Sequence, residues 1–534
     1  MIEKILYNAN VITLDDTMPS ATAIAISYGR IVAVGSDDDI LALATADTEK
    51  VNLSGYTITP GLTDSHLHWA WTARAMSDVD VFEVPSKQTA LDRVAERVLQ
   101  VPAGEWITGQ GWSQEFWDDT SFPSAQDLDQ VAPNNPVCLR AKSGHAVWVN
   151  SQALKYASIT TETVDPVGGQ IGRDESGIPT GMLFETAISL VYQHIPNPTP
   201  EQLVEMMKDA QQKALASGLT GFHDFDGPDC LYALQLLRQQ GDLALRVLKN
   251  INDTWIDHAH ELGLRWGFGD DWIRIGGLKI FSDGALGPRT ALMVDAYMGE
   301  PDNYGIRVTD KEEMLERVSK ASRLGIPSTI HAIGDLAVRE VLDVYQEVRK
   351  QEAEWGILPS ERRHRIEHVQ LVHPDDIHRL AELQIIASMQ PLHATSDYDM
   401  ADRYWGERNK CGYNPRLQLD QGVVVTFGSD SPIDPFQPLK TIHAAVTRRR
   451  ADGTPNAEGW YPSAKVTTEE ALRAYTIAPA YTAGMEHQLG KLSAGYLADL
   501  VVFDCDLLAI PPDDLLGVNV MKTMVGGEWR YEGN

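Results

Sequence analysis

The chain has 534 residues, 43% hydrophobic and 22% charged, the balance of a folded globular protein and not of a disordered one. With 75 acidic against 45 basic residues, its formal charge of −30 repels nucleic acid and anionic membrane surfaces, so neither is expected as a partner. No apolar run approaches the ~20 residues that span a bilayer. The segment Met1-Ile-Glu-Lys lacks a secretory apolar stretch, and Cys138, Cys230, Cys411 and Cys505 form no Cys-x-x-Cys pair. A cytoplasmic, reducing location is therefore the expectation.

From the start to about residue 60, short alternating runs such as Lys-Ile-Leu-Tyr-Asn-Ala and Arg-Ile-Val-Ala-Val-Gly are broken by Asp, Gly and Ser, the pattern of strands and turns. Residues 75–200 carry only loose strand signals among many Pro, Gly and Trp, and read as an insertion over a site. Beyond them, strand-like runs ending near Lys279, His331, His368 and Gln390 alternate with helical stretches at 310–324, 335–350 and 374–384. This many alternations favour a parallel (β/α)₈ barrel over an open sheet. The far end, Gly-Tyr-Leu-Ala-Asp-Leu-Val-Val-Phe-Asp, returns to the character of the start. The organisation expected is α/β: a barrel over 61–481 with its insertion, and a small β-sandwich built jointly from 1–60 and 482–534.

Within the barrel the chemistry gathers at strand ends. His66 and His68 flank one residue on an extended segment, so both side chains point the same way and can share a metal ion. His331, His368 and Asp430 each close another strand-like run, and strand ends converge on one face of a barrel although hundreds of residues separate them. Four imidazoles and a carboxylate suit Zn²⁺ or a similar divalent ion. No Gly-x-Ser-x-Gly and no cysteine in a catalytic setting is present, which argues against covalent catalysis.

The stretch Pro60-Gly61-Leu62-Thr63-Asp64-Ser65-His66-Leu67-His68, the strand-end His331 and His368, Gly-Ser-Asp430 and the closing Lys-Leu-Ser-Ala-Gly-Tyr-Leu-Ala-Asp-Leu resemble the metal-dependent amidohydrolase superfamily nearly end to end. Gly-Leu-Lys279-Ile-Phe-Ser-Asp283, His331-Ala-Ile-Gly-Asp335 and Arg-Ile-Glu-His368 resemble its amidohydrolase-3 branch, which holds YtcJ-like proteins and N-substituted formamide deformylases. The resemblance implies His66, His68, Lys279, His331, His368 and Asp430 as metal ligands, with one or two ions. Lys279 falls at the bridging-lysine position, where only a carbamate formed with carbon dioxide is an anionic ligand; pairing with Asp283 and a single metal is the alternative. Deaminating relatives carry a glutamate three residues after the fifth-strand histidine, and Gly334 stands there instead, which ranks deamination below amide cleavage.

The reaction expected is hydrolysis of a carbon–nitrogen bond in a small amide, N-formyl or carbamate-like compound, with Asp430 carrying the proton between water and leaving nitrogen. Ester, lactone or cyclic-amide cleavage is the alternative, and a non-catalytic ligand-binding or regulatory role on the same fold a further one. The resemblance also suggests His145 for the substrate carbonyl or oxyanion. Trp112 and Arg289 are candidate substrate contacts, for an apolar group and a carboxylate respectively. A homodimer is expected from family habit alone.

Overall fold

The computed structural model describes residues 2–82, 84–114, 117, 119, 121–141, 146–166 and 169–533. Eight strands form one parallel sheet in chain order: β1 (Leu62–Leu67), β2 (Leu219–Asp224), β3 (Arg246–Asn252), β4 (Ile273–Phe281), β5 (Ser328–Ala332), β6 (Arg365–His368), β7 (Ile386–Met389) and β8 (Val425–Phe427). The ring closes where Leu67 bridges Ser431 in parallel. Around that seam the His68 N–H donates to the Ser431 carbonyl at 2.9 Å, and the Asp430 N–H donates to the His66 carbonyl at 2.7 Å. This is the TIM-like barrel that the strand–helix alternation implies.

Every residue of β2, β5, β6 and β7 is buried, as in strands covered on both faces. Inside the ring lies a polar layer. The Arg365 guanidinium pairs with Glu367, donates to the Ser65 carbonyl at 3.0 Å and stands 3.1 Å from His223 Nδ1. Because β6 alternates, Arg365 and Glu367 share the inward face with Thr329 of β5, whose hydroxyl donates to Glu367 at 2.5 Å.

The helices follow their apolar spacing. One runs Lys311–Arg323, and another Asp335–Glu354, the second continuing past residue 350 to bury Glu352 against Ser322, Arg349 and His364. The expected helix at 374–384 is instead a 3₁₀ turn, Pro374–Asp376, and a single α-turn, Arg379–Glu382. Asp376 is drawn sideways there by Arg339 at 2.8 Å and Arg379 at 3.0 Å.

Both chain ends build two further sheets. A four-stranded sheet orders Arg30–Gly35, Ala23–Ser27, Lys4–Tyr7 and Glu49–Asn52; a six-stranded one orders Glu528–Glu532, Val520–Val525, Leu500–Phe503, Thr57–Pro60, Asn10–Ile12 and Ser20–Ala21. Leu6, Ile24 and Ile26 from the first share one core with Val11, Ile58, Leu500, Val502 and Met524 from the second. Arg246 at the start of β3 is tied to this layer by a two-pronged pair with Asp499, 2.5 and 2.8 Å, while Asp499 also accepts the Gly526 N–H.

By contacts the chain divides into two units, Met1–Thr72 with Met207–Asn534, and Ala73–Met206. The second holds a six-stranded sheet of its own, ordered Gly169–Arg173, Pro179–Glu185, Ala146–Val149, Val137–Ala141, Ile107–Trp112 and Val79–Asp80. Its strand pattern is loose in the sequence because glycines occupy crowded strand positions. A Cβ on Gly181 would lie 2.4 Å from the Val149 carbonyl oxygen. Trp112, a candidate substrate contact, is a core residue of this unit: it is 1% exposed, donates its indole N–H to the Leu139 carbonyl at 2.8 Å and packs beside Trp117 and Trp148. Strict alternation from Ile107 would turn it away from that core, and the register shift between Gln110 and Trp112 brings it in.

Candidate metal centre

His66 in β1, His68 just after it, Lys279 in β4, His331 in β5, His368 at the end of β6 and Asp430 in the turn after β8 all line one cavity of about 580 Å³ at the carboxyl ends of the strands. The candidate-ligand atoms of His66, His368 and Asp430 lie within 4.8 Å of one another. Asp430 Oδ1 is 3.4 Å from His66 Nε2 and 3.5 Å from His68 Nε2, and the His331 and His368 rings are 4.5 Å apart.

The far nitrogen of each ring is already held, which fixes the one that faces the cavity. His66 Nδ1 is 2.5 Å from Glu367, His68 Nδ1 3.0 Å from Asp226, and His368 Nδ1 2.8 Å from the Gln390 side-chain oxygen. These three therefore present Nε2. His331 is turned the other way: its Nε2 donates to the Gly284 carbonyl at 2.9 Å, leaving Nδ1 free. His66 Nε2 is buried with no hydrogen-bond partner. An orphaned buried imidazole nitrogen facing a carboxylate and a second imidazole fits a divalent cation, whose histidine ligands characteristically have the other ring nitrogen tied to a carboxylate or carbonyl.

Backbone strain gathers at the same place. His368 and Asp430 both hold left-handed φ values, +76° and +57°, a conformation costing a non-glycine residue about 1–3 kcal/mol.

Burial sets the protonation states. It drives His66 and His368 well below the usual histidine range, with the Lys279 charge adding to the effect on both, and takes His331 down to about 3. Neutral imidazole is the form that ligates metal. Burial pulls His68 down as well, but the hydrogen bond and charge of Asp226 outweigh it and raise the group. Glu367 is pushed up by burial and more than restored by Arg365 and Lys279, so it stays ionised. Asp430 is raised by burial.

Lys279 is 2% exposed, with its ammonium over the faces of Phe225 and Phe281 at 4.7 and 4.6 Å, and burial lowers it to about 8. Among the described residues it forms no ion pair with Asp283. That carboxyl instead accepts backbone N–H groups from Leu292, Ile333 and Gly334 at 2.9–3.1 Å, and burial raises it to about 7. Arg289 is not among the residues lining the cavity; it pairs with Glu300 at 2.6 Å and lies over the Tyr404 ring. His145 lies outside the described residues.

Several groups that shape the site escape a reading of strand ends. Asp226 stands two residues beyond β2 and Glu367 beside the candidate ligand His368 on β6, while Gln390, which ends the β7 run, carries no sign in the sequence that it holds His368. His393 sits within a helix, Pro391–Tyr404, and Gln370 and Asp434 in loops. The Asp226 carboxylate holds His68 Nδ1 with one oxygen and the Trp71 N–H with the other, both at 3.0 Å. Asp226→Asn is expected to weaken metal binding or turnover roughly 10–100-fold, read by metal titration; an unchanged affinity would show that the neighbouring packing alone orients His68.

A barrel with a metal-fitting side-chain set at its carboxyl ends defines the class of fold. The amidohydrolase family profile matches residues 49–531, and the chain belongs to that family. Protein LONG AFTER FAR-RED 3 of Arabidopsis thaliana is 33% identical over 99% of this chain and 91% of its own. An N-substituted formamide deformylase of Arthrobacter pascens is 31% identical over 100% of this chain and 99% of its own. Among solved structures, an uncharacterized metal-dependent hydrolase from Pyrococcus furiosus superposes with a TM-score of 0.78 at 30% identity, covering 95% of this chain and 99% of the other.

Proposed function

We propose that the protein is a metal-dependent hydrolase that cleaves the carbon–nitrogen bond of a small amide, N-formyl or carbamate-like compound. The observation that carries this reading is the orphaned His66 Nε2 facing His368 and Asp430 at the floor of a cavity large enough for a small molecule. His66, His68, His331, His368 and Asp430 would hold the metal, with zinc best suited to so many imidazoles. A divalent ion bound there lowers the pKa of water towards ~7 and polarises a carbonyl.

The chain's own residues supply the rest. Asp430 takes the proton from the attacking water and returns it to the leaving nitrogen, a role favoured by a buried carboxylate whose pKa is raised towards the working range. The neutral imidazoles of His66, His331 and His368 add no charge that would repel the cation. Phe281, Leu286, Ile333 and Ile433 give the cavity an apolar wall for the uncharged part of a substrate. Lys279 would become an anionic ligand on carboxylation: its neutral amine adds to carbon dioxide, an N–C bond forming as one C=O π bond opens onto oxygen, and the nitrogen releases a proton. A pKa near 8 keeps part of the amine neutral at mildly basic pH.

The test joins metal content, the intact mass of the protein and a panel of N-formyl, N-acetyl, carbamate and lactone compounds. Bound zinc, a mass increment of one carbon dioxide on Lys279 and N-formyl or amide cleavage that stops on chelation are expected. An unmodified Lys279 with one metal would leave a mononuclear centre, and lactone cleavage alone would replace the carbon–nitrogen reading.

A further inference from the structure

The cavity is chemically lopsided. On one side stand His66, His68, His331, His368 and Lys279; beyond His368, whose ring lies 6.1 Å from that of His393, the wall is formed by Gln370, His393, Ser396, Asp397 and Asp434. Among the described residues no guanidinium lines it. Arg450, whose guanidinium acts on Asp397 more weakly than His393 does, is engaged with Asp399 at 3.2 Å, the Thr395 carbonyl and the Tyr398 hydroxyl.

The hydrogen bonds at this end leave acceptors over. Gln370 Nε2 donates to His393 Nδ1 at 3.2 Å, so the His393 Nε2–H points between the carboxylates of Asp430 and Asp434, at 3.8 and 3.6 Å, too far to bond either. Ser396 satisfies Asp434 Oδ1 at 3.2 Å, and Tyr413 donates to Asp397 at 2.8 Å. Asp434 Oδ2 is buried without a partner. So is Gln370 Oε1, on a side chain only 4% exposed. Two unfilled acceptors beside two carboxylates call for a ligand rich in N–H donors.

We propose that this end of the cavity is a cation subsite, in which Asp434, Asp397 and Gln370 take an ammonium or amidinium carried by the amine half of the substrate. The substrates are then N-acyl derivatives of amines that keep a second basic nitrogen, and not N-acylated amino acids, whose carboxylate would meet Asp434 and Asp397. The orientation rests on the hydrolase reading, which places the scissile carbonyl at the histidine end and leaves the amine half to run towards helix Pro391–Tyr404.

Methanesulfonamides, which resist hydrolysis, separate binding from turnover. The probes are the mono-methanesulfonamide of butane-1,4-diamine (cationic), that of butylamine (neutral) and that of 4-aminobutanoate (anionic), titrated calorimetrically into the intact metal-loaded protein. The cationic probe is expected to bind about 10–100-fold more tightly than the neutral one, as a charge-assisted hydrogen bond commands, and the anionic probe most weakly. Asp434→Asn and Asp397→Asn should each shrink the cationic-to-neutral ratio at least tenfold, and either variant suffices should the other fail to fold. Equal binding of cationic and neutral probes, or a ratio unmoved in both variants, overturns the subsite. Asp434-dependent cation binding in a protein that cleaves none of the matching N-formyl amines would instead leave the subsite standing and remove the amide-hydrolase reading.

Discussion

Asp430→Asn is expected to retain its metal and lose roughly 10²–10⁴-fold in kcat, the usual worth of a positioned proton carrier. The amide is nearly isosteric, and the position is held by backbone: the residue 430 N–H bonds the His66 carbonyl, and the Asp64 carboxylate receives the N–H of neighbouring Ser429. The side chain should therefore keep its place beside His66 and His68 while losing the capacity to accept a proton from water. Metal content by elemental analysis and steady-state kinetics on any cleaved substrate measure both halves. Near-normal kcat at full metal loading would take the proton-carrying role away from Asp430 and leave it a ligand only.

Glu367→Gln is expected to damage both stability and the metal centre. Glu367 is fully buried and serves three partners: the Arg365 guanidinium, His66 Nδ1 and the Thr329 hydroxyl. Removing its charge leaves Arg365, 2% exposed, without a counter-ion in the barrel interior, a change that costs about 3–5 kcal/mol in comparable buried pairs. It also removes the acceptor that makes His66 a basic, correctly turned ligand, worth roughly 10–100-fold in metal affinity. A lower thermal midpoint in the metal-free protein together with weaker metal binding is the expected result; an unchanged midpoint would mean that Arg365 finds other compensation in His223 and Ser65. Because the folded Glu367 titrates below the ordinary glutamate range, its contribution is present above the unfolded glutamate pKa and is lost as pH falls through the lower folded value. The wild type should therefore shed this stabilisation only on acidification, and the glutamine variant should show a flatter acid limb.

The barrel and the candidate residues at its strand ends were legible because a parallel strand sheathed on both sides writes itself as an apolar run, and a polar residue ending such a run stands out. Ile-Pro-Ser-Thr-Ile-His331 and Arg-Ile-Glu-His368 are of that kind. What lies one step behind the ligands carries no such mark. Glu367 precedes a histidine and reads as an ordinary strand polar residue until β1 and β6 are seen to bring it to His66. His393 and Asp434 are separated by 41 positions and meet only because β7 and β8 are neighbours in the ring. Trp112 shows the ambiguity of its residue type: a tryptophan in a sequence fits a pocket wall or a core, and this one is a core ring, where burial of its large apolar surface stabilises the sheet.

The seam at which His66 and Asp430 exchange a backbone hydrogen bond has a bearing on how the molecule comes into being. Two candidate ligands are themselves the clasp of the ring, and 364 positions of chain separate them (430 − 66). During synthesis His66 emerges early and waits for a partner that arrives only when most of the polypeptide is complete, a long-range pairing that is slow to form. A metal held by the full set would therefore be gripped only once the ring has closed, and would then stabilise the closed chain by mass action.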